Sequence, residues 1–151
     1  MDIEFRLNRL KAKEFGPRAF KLASARSLFL EYIKRISHFA LCRIWGAIRK
    51  GEQKEKGTKV WICDRGAKIL SSEDLANHLE KLQISGVRRL SILIGGPDGF
   101  SKKEIEEFTP DLRWSFGSMT LPHELAAVVA SEQIYRAFTI IHKTPYHLGH
   151  L

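Results

Sequence analysis

Cysteine is scarce in this chain: there are two in 151 residues, Cys42 and Cys63, far apart and with no metal-ligand spacing around either. That excludes a disulfide framework and points to a reduced, cytoplasmic setting, with both thiols acting as small apolar side chains. No run reaches the roughly 18 continuous apolar residues that a membrane-spanning helix needs. The opening MDIEFRLNRLKAKEF lacks the apolar core of a secretory signal, so secretion is not expected. Neither GxGxxG nor GxxxxGK followed by Ser or Thr occurs, which leaves dinucleotide and phosphate-cradling loops unsupported. No metal is implied. Acidic residues are short in one place only. Residues 1–60 hold 15 Lys/Arg against 6 Asp/Glu, whereas residues 61–151 hold 10 against 11, so the formal charge of +8 belongs to the first half. Such a face suits phosphate backbones or an anionic membrane, or is simply well solvated; charge alone leaves these open.

What is present fits one domain over 1–151: 44% of residues are hydrophobic, and aromatics are spread along the length. Residues 1–59 are the basic, less regular part, and 60–151 carry the clearer pattern. Residues 3–7 (IEFRL) alternate as a strand does. The following stretch to about His38 reads as helix, with Phe20, Ala23, Ser27, Leu30 and Ile33 on one face. Residues 39–50 fit strand or helix, and Gly51–Lys59 a polar loop. VWIC (60–63) reads as a buried strand. Ser71 and Asp74 form a capping box ahead of a helix with Leu75, Leu79 and Leu82 on one face, stopped at Gly86. LSILI (90–94) is a second buried strand, KKEIEEF a short exposed helix, and LRWSFGSMTL (112–121) a third extended segment. A long helix then starts after Pro122. Strand and helix alternate, which predicts an α/β fold with a mostly parallel sheet flanked by helices.

In open α/β sheets, ligands bind beyond the carboxyl ends of the strands. Three loops would lie there: Cys63 to Gly66, Gly95 to Gly99, and Phe116 to Leu121. The glycines of Gly95-Gly96-Pro97-Asp98-Gly99 let main chain approach a ligand closely, or merely make a strand-to-helix turn. The stretch Ser115-Phe116-Gly117-Ser118-Met119-Thr120-Leu121 could form an apolar slot whose free N–H and C=O groups read a flat heterocycle, or a strand bulged at Gly117. His123 opens the long helix, where it could meet a substrate or bond to nearby backbone. Arg136 lies in an otherwise apolar stretch and is expected to be paired. Tyr146 and His147 sit on a tail that would fray unless it docks.

ILIGGPDGFS, then WSFGSMTLPH, then EQIYRAF and finally PYH follow one another here at the spacings of the RlmH methyltransferases, so the chain is identified as a member of that SPOUT-class family. The resemblance covers about residues 60–148, with a weaker echo in EYIKRISHFA (31–40). It implies an α/β-knot, a C-terminal segment threaded as a trefoil, and a homodimer using S-adenosyl-L-methionine. It also implies methylation of N3 of a pseudouridine in 23S ribosomal RNA, on the assembled ribosome. Cofactor contacts would be Ile62, Gly95, Gly96, Phe116, Gly117, Ser118, Met119, Thr120 and Leu121. His123, Arg136, Tyr146 and His147 fall where the family has residues near the target nucleotide, the tail reaching towards the partner's cofactor. Four departures stand out: Leu7-Asn8-Arg9-Leu10-Lys11 replaces the usual V-G-K stretch, Ala127 a common arginine, Lys143 the glycine before PYH, and Cys63 a usual aspartate. They keep two other readings in view, a non-catalytic ribosome-binding relative and a SPOUT enzyme with another RNA target.

Overall fold

The computed structural model describes residues 1–7, 20–46, 51–96 and 98–150, with side chains as far as 147 at that end. The expected helix over 8–19, the ambiguous 47–50, Pro97 and most of the altered N-terminal stretch lie outside the described residues. The strands are β1 (Asp2–Leu7), β2 (Cys42–Trp45), β3 (Thr58–Cys63), β4 (Arg89–Ile94) and β5 (Leu112–Trp114). The helices are α1 (Ala23–Ile36), α2 (Ser72–Ile84), α3 (Lys102–Phe108) and α4 (His123–Ile141), followed by a 3₁₀ turn over Pro145–His150.

The strands form one sheet in the order β2-β1-β4-β3-β5, and every neighbouring pair is parallel. β4 is central because LSILI is apolar throughout: Leu90 to Ile94 are all buried, which a strand flanked on both sides requires. Alternation then divides the sheet's faces. Ile3, Phe5 and Leu7 with Leu90, Ile92, Ile94 and Trp61 face α1, α2 and α4 and form the main core. Phe29 meets Phe5 edge-on at 5.7 Å, and Phe39 stacks on Phe138 at 5.4 Å. Phe5, Phe29 and Phe138 are fully buried, and each such ring contributes roughly 1.5–3 kcal/mol. On the opposite face a smaller cluster joins Val60, Ile62 and Leu93 to Phe100, Ile105 and Phe108 of the α3 region.

Ser71 caps α2 with Asp74 in the expected capping box, and Ser101 repeats the device with Glu104 on α3. Residues 42–45 are strand, since they pair with β1 from Ile3↔Cys42 to Arg6↔Trp45. Two expectations are corrected. The buried face of α1 is Ala25, Phe29, Ile33 and Ile36, while Ala23 and Ser27 are exposed; Phe29 outweighs Leu30 because its ring fills the space over Phe5. The third extended segment is strand only for Leu112–Trp114, after which Ser115 makes a single bridge to Ile69 and the chain loops to Pro122.

α4 crosses back from the β5 edge to lie between α1 and α2. No side chain caps its start. Glu124 in its first turn is instead 6% exposed, its carboxylate accepting from the Leu22 N–H (3.3 Å) at the start of α1. Its end is a Schellman motif. The Lys143 N–H donates to Ile140 O (3.2 Å), the Thr144 N–H donates to Thr139 O (2.9 Å), and Lys143 has φ +56°.

Candidate active site

The carboxyl ends of β3, β4 and β5 open on one side of the sheet into a cavity of about 440 Å³. That lies within the roughly 300–1,000 Å³ of small-molecule sites. Of the residues singled out in the sequence, Gly95, Gly96, Phe116, Gly117, Met119, Thr120, Leu121 and His123 line it. Ile62 does not: its side chain is wholly buried on the other face beneath α3, and the next residue, Cys63, takes the wall. Ser118 is exposed and is not part of the lining.

Local chemistry explains the walls. Gly99, at φ +70°, turns the chain so that its N–H donates to Gly96 O at 2.9 Å. A Cβ on Gly95 would then sit 2.9 Å from the Gly99 main chain, so a close approach between two backbone stretches demands glycine there. Gly117, at φ +126°, lets the third loop leave the sheet. Ser115, 1% exposed, ties that loop down: its Oγ accepts from the Gly117 N–H and lies within hydrogen-bond distance of Arg65 O and Gly117 O, each at 3.1 Å. Asp64 joins the same wall through an ion pair with Arg113, and its N–H donates to Trp114 O at 2.8 Å. Arg65, on the cavity lining, bonds to the Thr120 hydroxyl. Asp64 and Arg65 lie within the expected Cys63–Gly66 loop and Ser115 opens the expected apolar slot, but none of the three is among the expected cofactor contacts. A charged pair bordering a turn beyond a buried strand was the available signal.

The wall suits an adenosine-like ligand. Trp114, Phe116, Leu121 and Ile94 supply apolar surface, and Asp64, Asp98 and Arg65 supply polar ends. Residues 118–121 make no main-chain hydrogen bond among the described residues, which leaves donors and acceptors for the edge of a base. Cys63 is half-buried and burial raises its thiol pKa, while Cys42 is pushed up to about 12 by burial; neither is a nucleophile at neutral pH.

Arg136, Tyr146 and His147 assemble elsewhere. The tail turns back at the Schellman motif and docks on α4. The Tyr146 hydroxyl donates to Glu132 Oε1 at 3.0 Å, its ring lies 4.8 Å from the Arg136 guanidinium, and Tyr135 packs on it at 4.7 Å. Arg136 is paired as expected, its Nη2 2.8 Å from Glu132. Burial lowers its pKa, but the Glu132 bond and charge outweigh that and hold it above the usual value. Burial and the bonds to Tyr32 and Glu132 push the Tyr146 phenol up, so it stays protonated. His147 Nδ1 lies 3.0 Å from Arg136 Nη1 and its Nε2 2.8 Å from Glu73 Oε1. A guanidinium only donates, so Nδ1 accepts and the ring proton sits on Nε2, donated to Glu73. That bond first, then a backbone bond, holds the Glu73 carboxyl below its ordinary pKa. These three residues are therefore positioned around α4 and α2, outside the cavity lining. Ala127, where the resemblance expects arginine, is completely buried against the core.

A family model described as "Predicted SPOUT methyltransferase" matches residues 19–147. Proteins named ribosomal RNA large subunit methyltransferase H are similar over most of the chain. That of Koribacter versatilis is 37% identical over 137 residues, 86% of this chain and 92% of its own. That of Deinococcus radiodurans is 37% identical over 138 residues, with 85% and 92% covered. That of Magnetococcus marinus is 42% identical over 90 residues; the match takes in 59% of this chain and 55% of the relative, about half its length.

Proposed function

Since the chain belongs to the SPOUT methyltransferase family, beside relatives named ribosomal RNA large subunit methyltransferase H, we propose that it methylates large-subunit ribosomal RNA with S-adenosylmethionine, at N3 of a pseudouridine. The carrying observation is the cavity: three loops at adjacent strand ends, Cys63–Gly66, Gly95–Gly99 and Phe116–Leu121, converge on one space with an apolar wall and unpaired main-chain groups. The bound sulfonium would supply the methyl group by in-line displacement, so holding donor and acceptor in contact accounts for much of the rate.

This chain's own residues supply the rest. Gly95, packed against the Gly99 main chain, and Gly96, bonded to the Gly99 N–H, hold the β4 loop close, and Ser115 fixes the Phe116–Leu121 loop against Arg65. His123 stands on the cavity wall at the start of α4, where it can take the N3 proton of the incoming base. The positive end of that helix and the Arg65 guanidinium favour the deprotonated base. Arg136, Tyr146 and His147 act across a homodimer, each tail presented to the partner's cavity. Apolar surface for such a partner exists beside the opening, where Met119 is 80% and Ile69 62% exposed. The setting is the ribosome in the cytoplasm, met by the basic first half.

The test uses purified protein, labelled S-adenosylmethionine and ribosomes lacking the modification. Label on N3 of one large-subunit pseudouridine is expected. No label in RNA, with calorimetry showing no cofactor binding, would replace the enzyme by a ribosome-binding relative. Label on another nucleotide would keep the enzyme and change its target.

A further inference from the structure

All-parallel sheets are normally apolar on both faces, because helices cover both. Among the described residues, helices fully cover only one face here. On the other, α3 covers the β3 side, over Val60, Ile62 and Leu93. The remainder is polar, and the strand register sets it out in rows. Arg43, Glu4, Ser91 and Val60 lie side by side across β2, β1, β4 and β3, and the next row runs Trp45, Arg6, Leu93 and Ile62.

The β2-to-β3 connection spans two intervening strands, and its described part (46 and 51–57) holds no helix or strand. It is strapped over this face by ion pairs: Arg6 with Glu52 (2.6 Å), Lys54 with Asp111 (2.6 Å) and Arg89 with Glu55 (3.1 Å). Between strap and sheet lies a cavity of about 710 Å³, larger than the one at the strand ends and separate from it.

Its lining does not resemble an unfinished core. Glu4 is 5% exposed in the middle of the sheet, and its carboxylate accepts from the Ser91 hydroxyl at 2.6 Å. The Nε–H groups of Arg43 and Arg89 are buried and have no acceptor among the described residues. Orphaned buried donors are costly and therefore informative. The Arg43 guanidinium lies 5.8 Å from the Trp45 ring centre, and Trp45 is 44% exposed at the edge of the sheet. A half-exposed indole beside a guanidinium, on a sheet face with a buried carboxylate, has the parts that single-stranded RNA uses: a stacking plane, a phosphate donor and an acceptor for base N–H groups. The acids Glu52, Glu55 and Glu107 also border the space, so it is not a groove for a run of phosphates.

We propose that this cleft binds one unstacked nucleotide of the RNA substrate, its base on Trp45, its base edge at Glu4 and its phosphate at Arg43. The inference rests on the reading above in taking the nucleotide from the RNA that is methylated, and it adds a second RNA contact on the opposite sheet face from the main core.

The test is tryptophan fluorescence titration with a short single-stranded RNA oligonucleotide of mixed sequence. Trp61 and Trp114 are each 2% exposed, so quenching reports chiefly on Trp45. The parent protein should be quenched. Arg43→Gln should weaken binding about tenfold, and Trp45→Ala, followed by fluorescence anisotropy of labelled RNA, by a similar factor. Both should bind S-adenosylmethionine like the parent. Glu4→Gln, which keeps an acceptor for Ser91, should alter the order of preference among the four homopolymers. Parent-like RNA affinity in both Trp45→Ala and Arg43→Gln overturns the proposal, as does absence of quenching in the parent. If those variants bind the oligonucleotide normally but lose intact ribosomes, a protein covers the face and the proposal also fails. Absence of methyl transfer alongside the expected quenching and variant effects would remove the enzyme reading and leave the nucleotide site standing.

Discussion

Lys143 shows how one residue can be set against its backbone. It occupies the left-handed position that ends α4, at φ +56°, where a side chain costs on the order of 1 kcal/mol relative to glycine. Glycine would relieve that strain but loosen the unfolded chain by about 0.4–1 kcal/mol. Lys143→Gly should therefore be neutral or stabilising by up to about 1 kcal/mol in urea unfolding; a loss beyond 1 kcal/mol would show that the lysine side chain itself holds the tail. The sequence alone exposed this site only through the missing glycine before Pro145. His147 was legible as a docked residue, because a terminal Tyr-His needs something to pack on. Its partners were not: Glu73 lies 74 positions away and is brought to it by the contact between α2 and α4.

Among the elements, β3 is finished by a residue outside it. β5 pairs only with Trp61 to Cys63, leaving the Val60 N–H and C=O on that side without a strand partner. Asp111 supplies both: its N–H donates to Val60 O at 2.7 Å, and its Oδ2 accepts from the Val60 N–H at 2.8 Å. Partial burial raises the Asp111 pKa, but the bonds from Lys54 and Val60 and the charges of Lys54 and Lys59 outweigh it, so the carboxyl sits below its ordinary value. A depressed carboxylate contributes stability above its unfolded pKa of about 4 and loses it as pH falls through the lower folded value. Asp111→Asn should thus cost on the order of 1 kcal/mol at pH 7, with the gap to the parent closing below about pH 4. Urea midpoints at pH 7 and pH 3 check this, and an equal gap at both would exclude the charge as the cause. Capping boxes and buried apolar runs made α2, β3 and β4 legible, because their signals are local. The face of α1 was misphased because Leu30 and Phe29 compete for the same space, and the choice belongs to Phe5 on another element. The ending of β5 after three residues depends on Ser115 bonding to Arg65, which no local pattern announces.

At the scale of the whole molecule, charge and sheet order govern behaviour. The 15 basic against 6 acidic residues of the first 60 should make ribosome affinity fall steeply with salt, by roughly a power of ten for each twofold to threefold rise in concentration if a few phosphates are contacted. Binding measured between about 50 and 200 mM salt tests this; a flat response would move recognition away from phosphates. Alternation of strand and helix announced a parallel sheet, but not that β4 would insert between β1 and β3, nor that part of one face would stay polar. Both depend on pairings between distant residues. That insertion has a consequence for synthesis. Glu4 and Ser91, neighbours in the finished sheet, are 87 positions apart, so a nascent chain ending before Ser91 carries β1 with its inner edge bare. Translation delivers the strands in one sequence and assembly consumes them in another, so the stretch between the emergence of β1 and that of β4 is when this protein most needs a chaperone's cover.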